Sequence, residues 1–150
     1  MIKTFTQEKA VEDKKKQLQK IIDGTLSPKE LASMITDRRL NWLEENRHLL
    51  NGKCTLEEAY RLMIYYHMKV EDGISISRNG SLLKIKCMNF CPYLEASRIL
   101  GLDTRFVCRE IGEPSLKAFF NAINSRFHFG RDYSQIRPYS DYCLEVLEEI

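Results

Sequence analysis

Apolar residues in the first half of the chain recur every three or four positions, which is the spacing of amphipathic helices. Residues 6–24 begin with a threonine cap and carry a thin apolar stripe between charged side chains, so they predict a surface helix. The sequences SPKE and TLEE, which begin at Ser27 and Thr55, match the capping box that begins a helix. We therefore predict a second helix from Ser27 to Leu50 and a third from Thr55 to about Val70.

From Gly73 onward the pattern changes from helical to strand-like. The dipeptide Asn79-Gly80 suits the tight turn of a two-residue hairpin, and alternating β-branched and polar residues flank it. These features predict a hairpin whose strands are Ile74–Ser77 and Ser81–Cys87.

Strand-like alternation returns in the last quarter of the chain. Within residues 126–133, Phe127 and Phe129 alternate with polar neighbours. Within residues 141–148, Tyr142, Leu144 and Val146 alternate with Cys143 and Glu145. Each segment predicts one strand.

Helices are predicted between the hairpin and these last strands. Pro92–Leu100 is stopped by Gly101, Asp103 caps the next helix, and the glycine and proline at 112–114 break or kink it. The sequence thus predicts an α+β fold, in which a helical N-terminal half is followed by a small antiparallel sheet with two covering helices.

Domain organisation follows from the absence of any internal repeat or long linker in the sequence. We predict a helical arm at residues 1–26 and a single α+β domain at 27–150. Within that domain, residues 27–72 are predicted to be helical, and residues 73–150 form the cysteine-bearing part.

The composition of the 150 residues, 43% hydrophobic and 29% charged, is that of an ordinary globular domain. No run is apolar enough to predict a membrane span, and the start of the chain lacks the features of a secretory signal. We therefore expect a cytoplasmic protein whose five cysteines are thiols rather than disulfides.

The net charge of the chain and the apolar stripe of its first helix indicate which kinds of partner the protein binds. The net charge is only +2, so the composition does not favour direct binding of nucleic acid. The thin apolar stripe of the first helix predicts either loose packing on its own domain or docking in a groove of a partner protein. Oligomerisation is left open.

Four cysteines lie in the second half: Cys87 at the end of a predicted strand, Cys91 at the start of a helix, Cys108 within a helix and Cys143 within the last strand. We expect them to converge around one cavity. They are either buried small apolar groups or ligands of zinc or an iron–sulfur cluster, although the Cys-x3-Cys spacing is not that of a zinc knuckle. Cys91, at a helix N-terminus, is predicted to be the most acidic and most reactive thiol. His128 is a candidate base for it, with an exposed or structural histidine as the alternative.

A resemblance to a known family rests on four features of residues 91–148. They are Cys91-Pro92, Cys108 ahead of a helix, the strand carrying Phe127, Phe129 and Arg131, and Asp141-Tyr142-Cys143 before the last strand. This segment resembles the C-terminal part of the family named after L-2-amino-thiazoline-4-carboxylic acid hydrolase, which is similar in layout to 4-vinyl reductase domains. The resemblance implies an α+β fold and a pocket in which Cys91, Cys108 and Cys143 meet a small ligand or a metal.

Three functions are compatible with these features. The first is a thiol-centred domain that binds a metal or small ligand and docks through its helical arm, with a bridging role in sulfur or cysteine metabolism. The second is a small hydrolase of the family's named type, which opens a carbon–nitrogen bond of a cyclic thiazoline. The third is a structural domain without a ligand.

The hydrolase hypothesis assigns roles to particular residues. Cys91 is the nucleophile or a ligand, and His128 or Asp141 is the base. The predicted ligand-binding residues are Arg131, Arg137 and Tyr142, the two arginines being suited to a substrate carboxylate.

Overall fold

A computed structural model of the chain describes residues 3–50 and 52–150. The first half is helical and the second half holds a four-stranded antiparallel sheet, so the predicted α+β class is confirmed. The helices are α1 (Phe5–Ile22), α2 (Pro28–Asn46), α3 (Leu56–Arg61), α4 (Pro92–Leu100), α5 (Thr104–Val107) and α6 (Glu113–Ile123). The strands are β1 (Ile74–Asn79), β2 (Leu82–Cys87), β3 (Phe127–Asp132) and β4 (Cys143–Glu149). Short helical turns follow α2 (Arg47–Leu49), α3 (Leu62–His67) and α5 (Cys108–Gly112).

Side-chain caps determine where the first helices begin. Ser27 Oγ accepts a hydrogen bond from the Glu30 amide at 3.0 Å, and Glu30 Oε1 accepts one from the Ser27 amide at 3.1 Å, as the capping box predicts. The first helix starts earlier than expected, because its cap is Thr4 paired with Gln7. Thr6 cannot form the reciprocal box, since the side chain three residues later is a lysine, which has no acceptor.

The sheet has the strand order β1-β2-β4-β3, which places β2 and β4 at its centre. The predicted hairpin is present, but Asn79 pairs with Leu82, so the two turn residues are Gly80 and Ser81 rather than Asn79 and Gly80. In β4 the register pairs Leu147 with Leu83 and Glu145 with Ile85, so the helix-covered face carries the odd-numbered residues of β4. The more apolar set of Tyr142, Leu144 and Val146 therefore lies on the opposite face.

The main hydrophobic core lies between the covered sheet face and the helices α2, α3 and α6. Five of its buried members are aromatic: Tyr60, Phe119, Phe120, Phe127 and Phe129. Phe120 of α6 stacks on Phe129 of β3, with ring centroids 5.5 Å apart, which joins α6 to the sheet. This core packs against the central strands β2 and β4, which carry Cys87 and Cys143.

A second core joins α1, α2, α4 and the α5 region. The apolar stripe of α1 packs along α4, and Leu18 is fully buried there. Tyr93 adds a hydrogen bond of 3.0 Å from its hydroxyl to Gln17 on α1. The first helix is therefore packed on its own chain, which is one of the two arrangements that its thin stripe allows.

The interruption predicted at residues 112–114 takes the form of a π-helical turn from Cys108 to Gly112 before α6. Pro114 has no amide hydrogen, so the regular hydrogen-bond ladder cannot continue through it. None of the helices within the described ranges combines the length and apolar character needed to cross a membrane.

Candidate ligand-binding cavity

A cavity of about 80 Å³ lies between the sheet and the helices α4 and α5. Cys87, Cys91, Cys108 and Cys143 all line it, so these four residues, distant in sequence, meet around one space. We call this space the thiol-lined cavity. Its polar walls also include Arg131, Arg137, Glu145, Tyr93 and Ser97.

The local structure explains how the cysteines reach the cavity. Cys87 ends β2 and is the direct partner of Cys143 at the start of β4. Cys91 is the residue before α4, and Cys108 begins the π-helical turn. Each thiol therefore lies where one element ends and another begins. The fifth cysteine, Cys54, lies before α3 and does not line the cavity.

A buried carboxylate, Glu145, organises the sheet side of the cavity. It is 4% exposed and forms an ion pair with Arg131. Glu145 also accepts hydrogen bonds from the Tyr60 hydroxyl at 2.5 Å and from the Cys87 thiol at 3.2 Å. Burial alone raises the pKa of Glu145, but Arg131 and these hydrogen bonds outweigh it and hold the pKa below its usual value. Glu145 is therefore ionised and fully engaged.

The thiols of Cys87, Cys91 and Cys108 are held in the neutral form. Burial raises the pKa of Cys108 to about 11 and raises the pKa of Cys91 above its usual value. For Cys87, burial and the neighbouring charge of Glu145 raise the pKa far above the usual range. Cys91, predicted to be the most acidic thiol because it precedes a helix, instead has a raised pKa, because burial outweighs the favourable interactions at the start of α4.

Cys143 has a different environment from the other cavity thiols. Its sulfur accepts hydrogen bonds from the backbone amide and from the side-chain Nε of Arg137, each at 3.4 Å. Arg137 is itself held in place, because its Nη1 donates to the Asn89 carbonyl at 2.7 Å. Two N–H donors, one of them on a cationic side chain, are therefore directed at this sulfur.

We expect iodoacetamide to modify Cys143 at least about tenfold faster than Cys87 at pH 7.5. The Cys87 thiol is buried beside the Glu145 carboxylate and has a raised pKa, whereas Cys143 is only partly buried and its sulfur faces two N–H donors. Isotope-coded alkylation followed by peptide mass spectrometry measures both rates in the folded protein. In an Arg137→Leu variant the Cys143 rate should fall while that of Cys54, far from Arg137, stays constant. Equal rates at Cys143 and Cys87 would contradict this ranking.

Two polar atoms in the cavity wall have no hydrogen-bond partner within the part of the chain that the structure describes. They are Arg131 Nε and Ser97 Oγ, and both are enclosed. Leaving such groups unpaired costs about 1–3 kcal/mol each. A ligand that accepts hydrogen bonds inside the cavity would satisfy both atoms.

The geometry gives no support for the predicted zinc or iron–sulfur site at Cys87, Cys91, Cys108 and Cys143. Among residues 3–50 and 52–150, no group of three or more His, Cys, Asp or Glu side chains is arranged to hold a metal ion. Although the four sulfurs share a cavity, Cys87 is hydrogen-bonded to Glu145, and three of the four thiols have raised pKa values. Metal ligation requires thiolates.

Three predicted site residues lie outside the cavity. His128 is exposed on the uncovered face of the sheet, because neighbouring residues of β3 point to opposite faces and Arg131 points to the covered one. Asp141 is exposed in the segment before β4. The Tyr142 ring contacts Lys86, whose Nζ is 4.8 Å from the ring centroid, again on the uncovered face. Cys91 and His128 therefore do not meet, and the stated alternative of an exposed histidine describes His128.

The sequence interpretation missed Glu145, Tyr93 and Ser97 as cavity residues. For Glu145 there was a usable signal, since a charged residue stands between Cys143 and Leu147 in the odd-numbered set of β4. A buried carboxylate requires a cation, and Arg131 on the neighbouring strand is its direct partner in the sheet register. For Ser97 on α4 no comparable signal exists.

Comparison of the chain with known protein families, with curated proteins and with solved structures found no match. The resemblance to the thiazoline-carboxylate hydrolase family therefore stays a prediction that rests on the residues of segment 91–148.

Proposed function

We propose that this protein binds a small molecule with an anionic group in the thiol-lined cavity. The observation that carries the proposal is Arg131 Nε, unpaired among the described residues and buried in the wall of a cavity that Ser97 and a second arginine, Arg137, also line. Around the cavity two arginines face a single carboxylate, so the walls carry a net positive charge. A carboxylate of the ligand would offset that charge and accept the free N–H.

The size of the cavity limits what it can enclose. Its volume of about 80 Å³ is roughly half that of an engineered lysozyme cavity, about 150 Å³, that holds benzene. The cavity therefore takes a few non-hydrogen atoms, such as a carboxylate with the adjoining part of a small ring. The neutral thiols of Cys91 and Cys108 provide soft, weakly polar walls around the remainder.

Binding is favoured over the hydrolase alternative by the absence of a free base near the thiols. Glu145 is the one carboxylate among the described residues of the cavity wall, and it is engaged by Arg131, Tyr60 and Cys87. Neither His128 nor Asp141 lines the cavity. A docking role for residues 1–26 is also not favoured, since the apolar stripe of α1 is covered by α4.

The proposal is tested by NMR titration with acetate and with 2-amino-thiazoline-4-carboxylate. The Arg131 Nε–H signal, unpaired and enclosed in the free protein, should shift saturably with at least one of these probes. The same spectra of the thiazoline sample report any ring opening, which would favour the hydrolase instead. The absence of any saturable shift up to high millimolar concentration would count against ligand binding.

A variant that fills the cavity provides the control for this titration. Ser97→Leu places an apolar side chain where Ser97 Oγ now faces the cavity, so it should abolish the shift without lowering the melting temperature. Ser33→Leu makes the same chemical change at an exposed position of α2 and should leave binding intact. Equal responses of the two variants would show that the probes bind elsewhere.

A further inference from the structure

An arginine of α2, Arg39, is buried without an acidic partner. It is only 9% exposed, and its Nε donates a hydrogen bond to Ser115 Oγ at 2.9 Å. Within the described ranges, no carboxylate forms an ion pair with it. Its two terminal nitrogens have no acceptor among those residues, which is unusual for a charge removed from water.

Folding stability gives no reason for an arginine at this position. Burial and the neighbouring charge of Arg38 lower the pKa of Arg39 to about 10, so the protein holds an unfavourable charge there. Ser115 does not depend on Arg39, because its hydroxyl also donates to the Gly112 carbonyl at 2.9 Å. An unbranched apolar side chain would fill the same space without the cost of desolvation.

Two further cations lie beside Arg39. Lys14 projects from the same side of α1 as the buried Val11 and Leu18, and its Nζ is 4.9 Å from the centre of the Tyr93 ring on α4. Burial, Arg38 and Arg39 together lower the pKa of Lys14. Neither Lys14 nor Arg38 forms an ion pair within residues 3–50 and 52–150.

The acidic groups nearby do not neutralise these cations. Asp13 acts on Lys14, and Glu145 acts on Arg39, but Glu145 is already paired with Arg131. The positive potential extends to His67, whose pKa is lowered to about 4 by burial and by Arg39 and Arg38.

The terminal nitrogens of Arg39 are within reach of solvent. The unpaired side-chain atoms that are fully enclosed, among those described, are His67 Nδ1, Ser97 Oγ and Arg131 Nε, and the terminal nitrogens of Arg39 are not in this group. A small group can therefore approach them. A rod-shaped polyanion would contact the exposed Arg38, but it would not reach Arg39, because Arg39 is buried.

We infer that Lys14, Arg38 and Arg39 form a binding site for the phosphate group of a small molecule, next to the thiol-lined cavity. The charges of Lys14, Arg38 and Arg39 act on one another, and a dianion offsets this repulsion better than a single carboxylate does. Guanidinium groups also bind phosphate oxygens in pairs. Tyr93 lies under Lys14 and also lines the cavity, so the two sites adjoin. Anion binding here requires no ligand in the cavity.

Thermal denaturation with inorganic phosphate as the probe tests this site. At pH 7.5, sodium phosphate is compared with sodium chloride and with sodium acetate at equal ionic strength. We expect phosphate to raise the melting temperature of the wild-type protein saturably, by about 3 °C or more once the site is filled. No rise beyond that in chloride would overturn the inference, and an equal rise in acetate would overturn the assignment to a dianion.

Three variants separate this site from a general salt effect. Arg39→Met should abolish the phosphate shift and raise the melting temperature in chloride, since it removes a buried unpaired charge. Lys14→Gln, which is only partly buried and provides a second test if Arg39→Met does not fold, should weaken phosphate binding about tenfold. Arg61→Met removes one exposed charge on α3 and should leave the shift unchanged.

The outcomes of these variants are decisive in either direction. A phosphate shift that survives in both Arg39→Met and Lys14→Gln would place the anion elsewhere and overturn the inference. Binding of a short DNA duplex that is lost in the same two variants, without a phosphate shift, would identify a nucleic-acid contact instead. Because phosphate is titrated without a cavity ligand, failure here leaves the proposed function of the cavity untouched.

Discussion

Replacing Arg131 with methionine should lower the free energy of unfolding at pH 7.5 by about 3–5 kcal/mol. The substitution leaves Glu145 buried at 4% exposure with a negative charge and no cation beside it. The hydrogen bonds from Tyr60 and Cys87 remain, but neutral donors cannot replace the charge of a guanidinium. Urea denaturation of the wild-type and variant proteins measures the difference.

The pH dependence of this loss of stability provides a second, independent test of the ion pair. In the wild-type protein the pKa of Glu145 is lowered, so its contribution to stability is present above the usual pKa of 4.5 and is lost as the pH falls through the folded-state value. Without Arg131, burial dominates and raises the folded-state pKa. The variant then loses stability as the pH rises from 4.5 through that raised value, so the difference from wild type should be smaller at pH 5 than at pH 7.5.

The double variant Arg131→Met/Glu145→Gln is the matched control. It removes both charges and keeps a side chain that can accept the Tyr60 hydrogen bond. Most of the lost stability should return, and the dependence on pH between 5 and 7.5 should disappear. A single variant that loses less than about 1 kcal/mol, or loses the same amount at both pH values, would show that Arg131 and Glu145 are not a buried pair.

Features that depend on local sequence were predicted well. The caps at Ser27 and Thr55, the hairpin that turns at Gly80 and the stop at Gly101 involve residues within a few positions of one another, although the turn lies one residue later than predicted. Their backbone preferences act before any tertiary contact forms. The positions of Cys87 at a strand end and Cys91 before a helix followed from these local features, whereas Cys108 and Cys143 were expected inside elements and lie at their starts.

Features decided by packing between distant segments were predicted less well. The choice of which face of β4 is covered depends on its register against β2, where Leu147 meets Leu83. Local alternation favoured Leu144 and Val146, but a shift of one residue exchanges the two faces of a strand. The ion pair between Glu145 and Arg131 depends on the same register, so it was missed as well.

The misjudged acidity of Cys91 shows how two electrostatic effects compare. A helix N-terminus stabilises a charge by about 0.3–1 kcal/mol, and up to about 2 kcal/mol when partly buried. Removing a charged group from water costs more than this unless it is paired. The sequence shows that Cys91 precedes a helix, but only the tertiary structure shows that the cavity wall closes around it.

Replacing Gly73 with alanine should destabilise the protein by about 2–5 kcal/mol and also disturb the cavity. Gly73 has a φ of +84°, and an added Cβ would lie 2.7 Å from the Asn89 amide nitrogen and 2.8 Å from its Cα. These are backbone atoms of a tightly joined pair of segments, since the Met88 amide donates to the Gly73 carbonyl at 2.8 Å. The alanine can fit only if the segment around Asn89 moves.

Movement of Asn89 would be transmitted to the thiols. Its carbonyl holds Arg137 Nη1 at 2.7 Å, and Arg137 in turn donates to Cys143. We therefore expect the Gly73→Ala variant to show both a lower free energy of unfolding in urea and a slower alkylation of Cys143 by iodoacetamide.

Gly24→Ala is the matched control, because Gly24 has a similar φ of +76° with nothing within 4 Å of the added Cβ. That control carries only the backbone strain, about 1–2 kcal/mol, and leaves Cys143 unaffected. Equal losses in the two variants would show that the contact between Gly73 and Asn89 does not position the cavity wall.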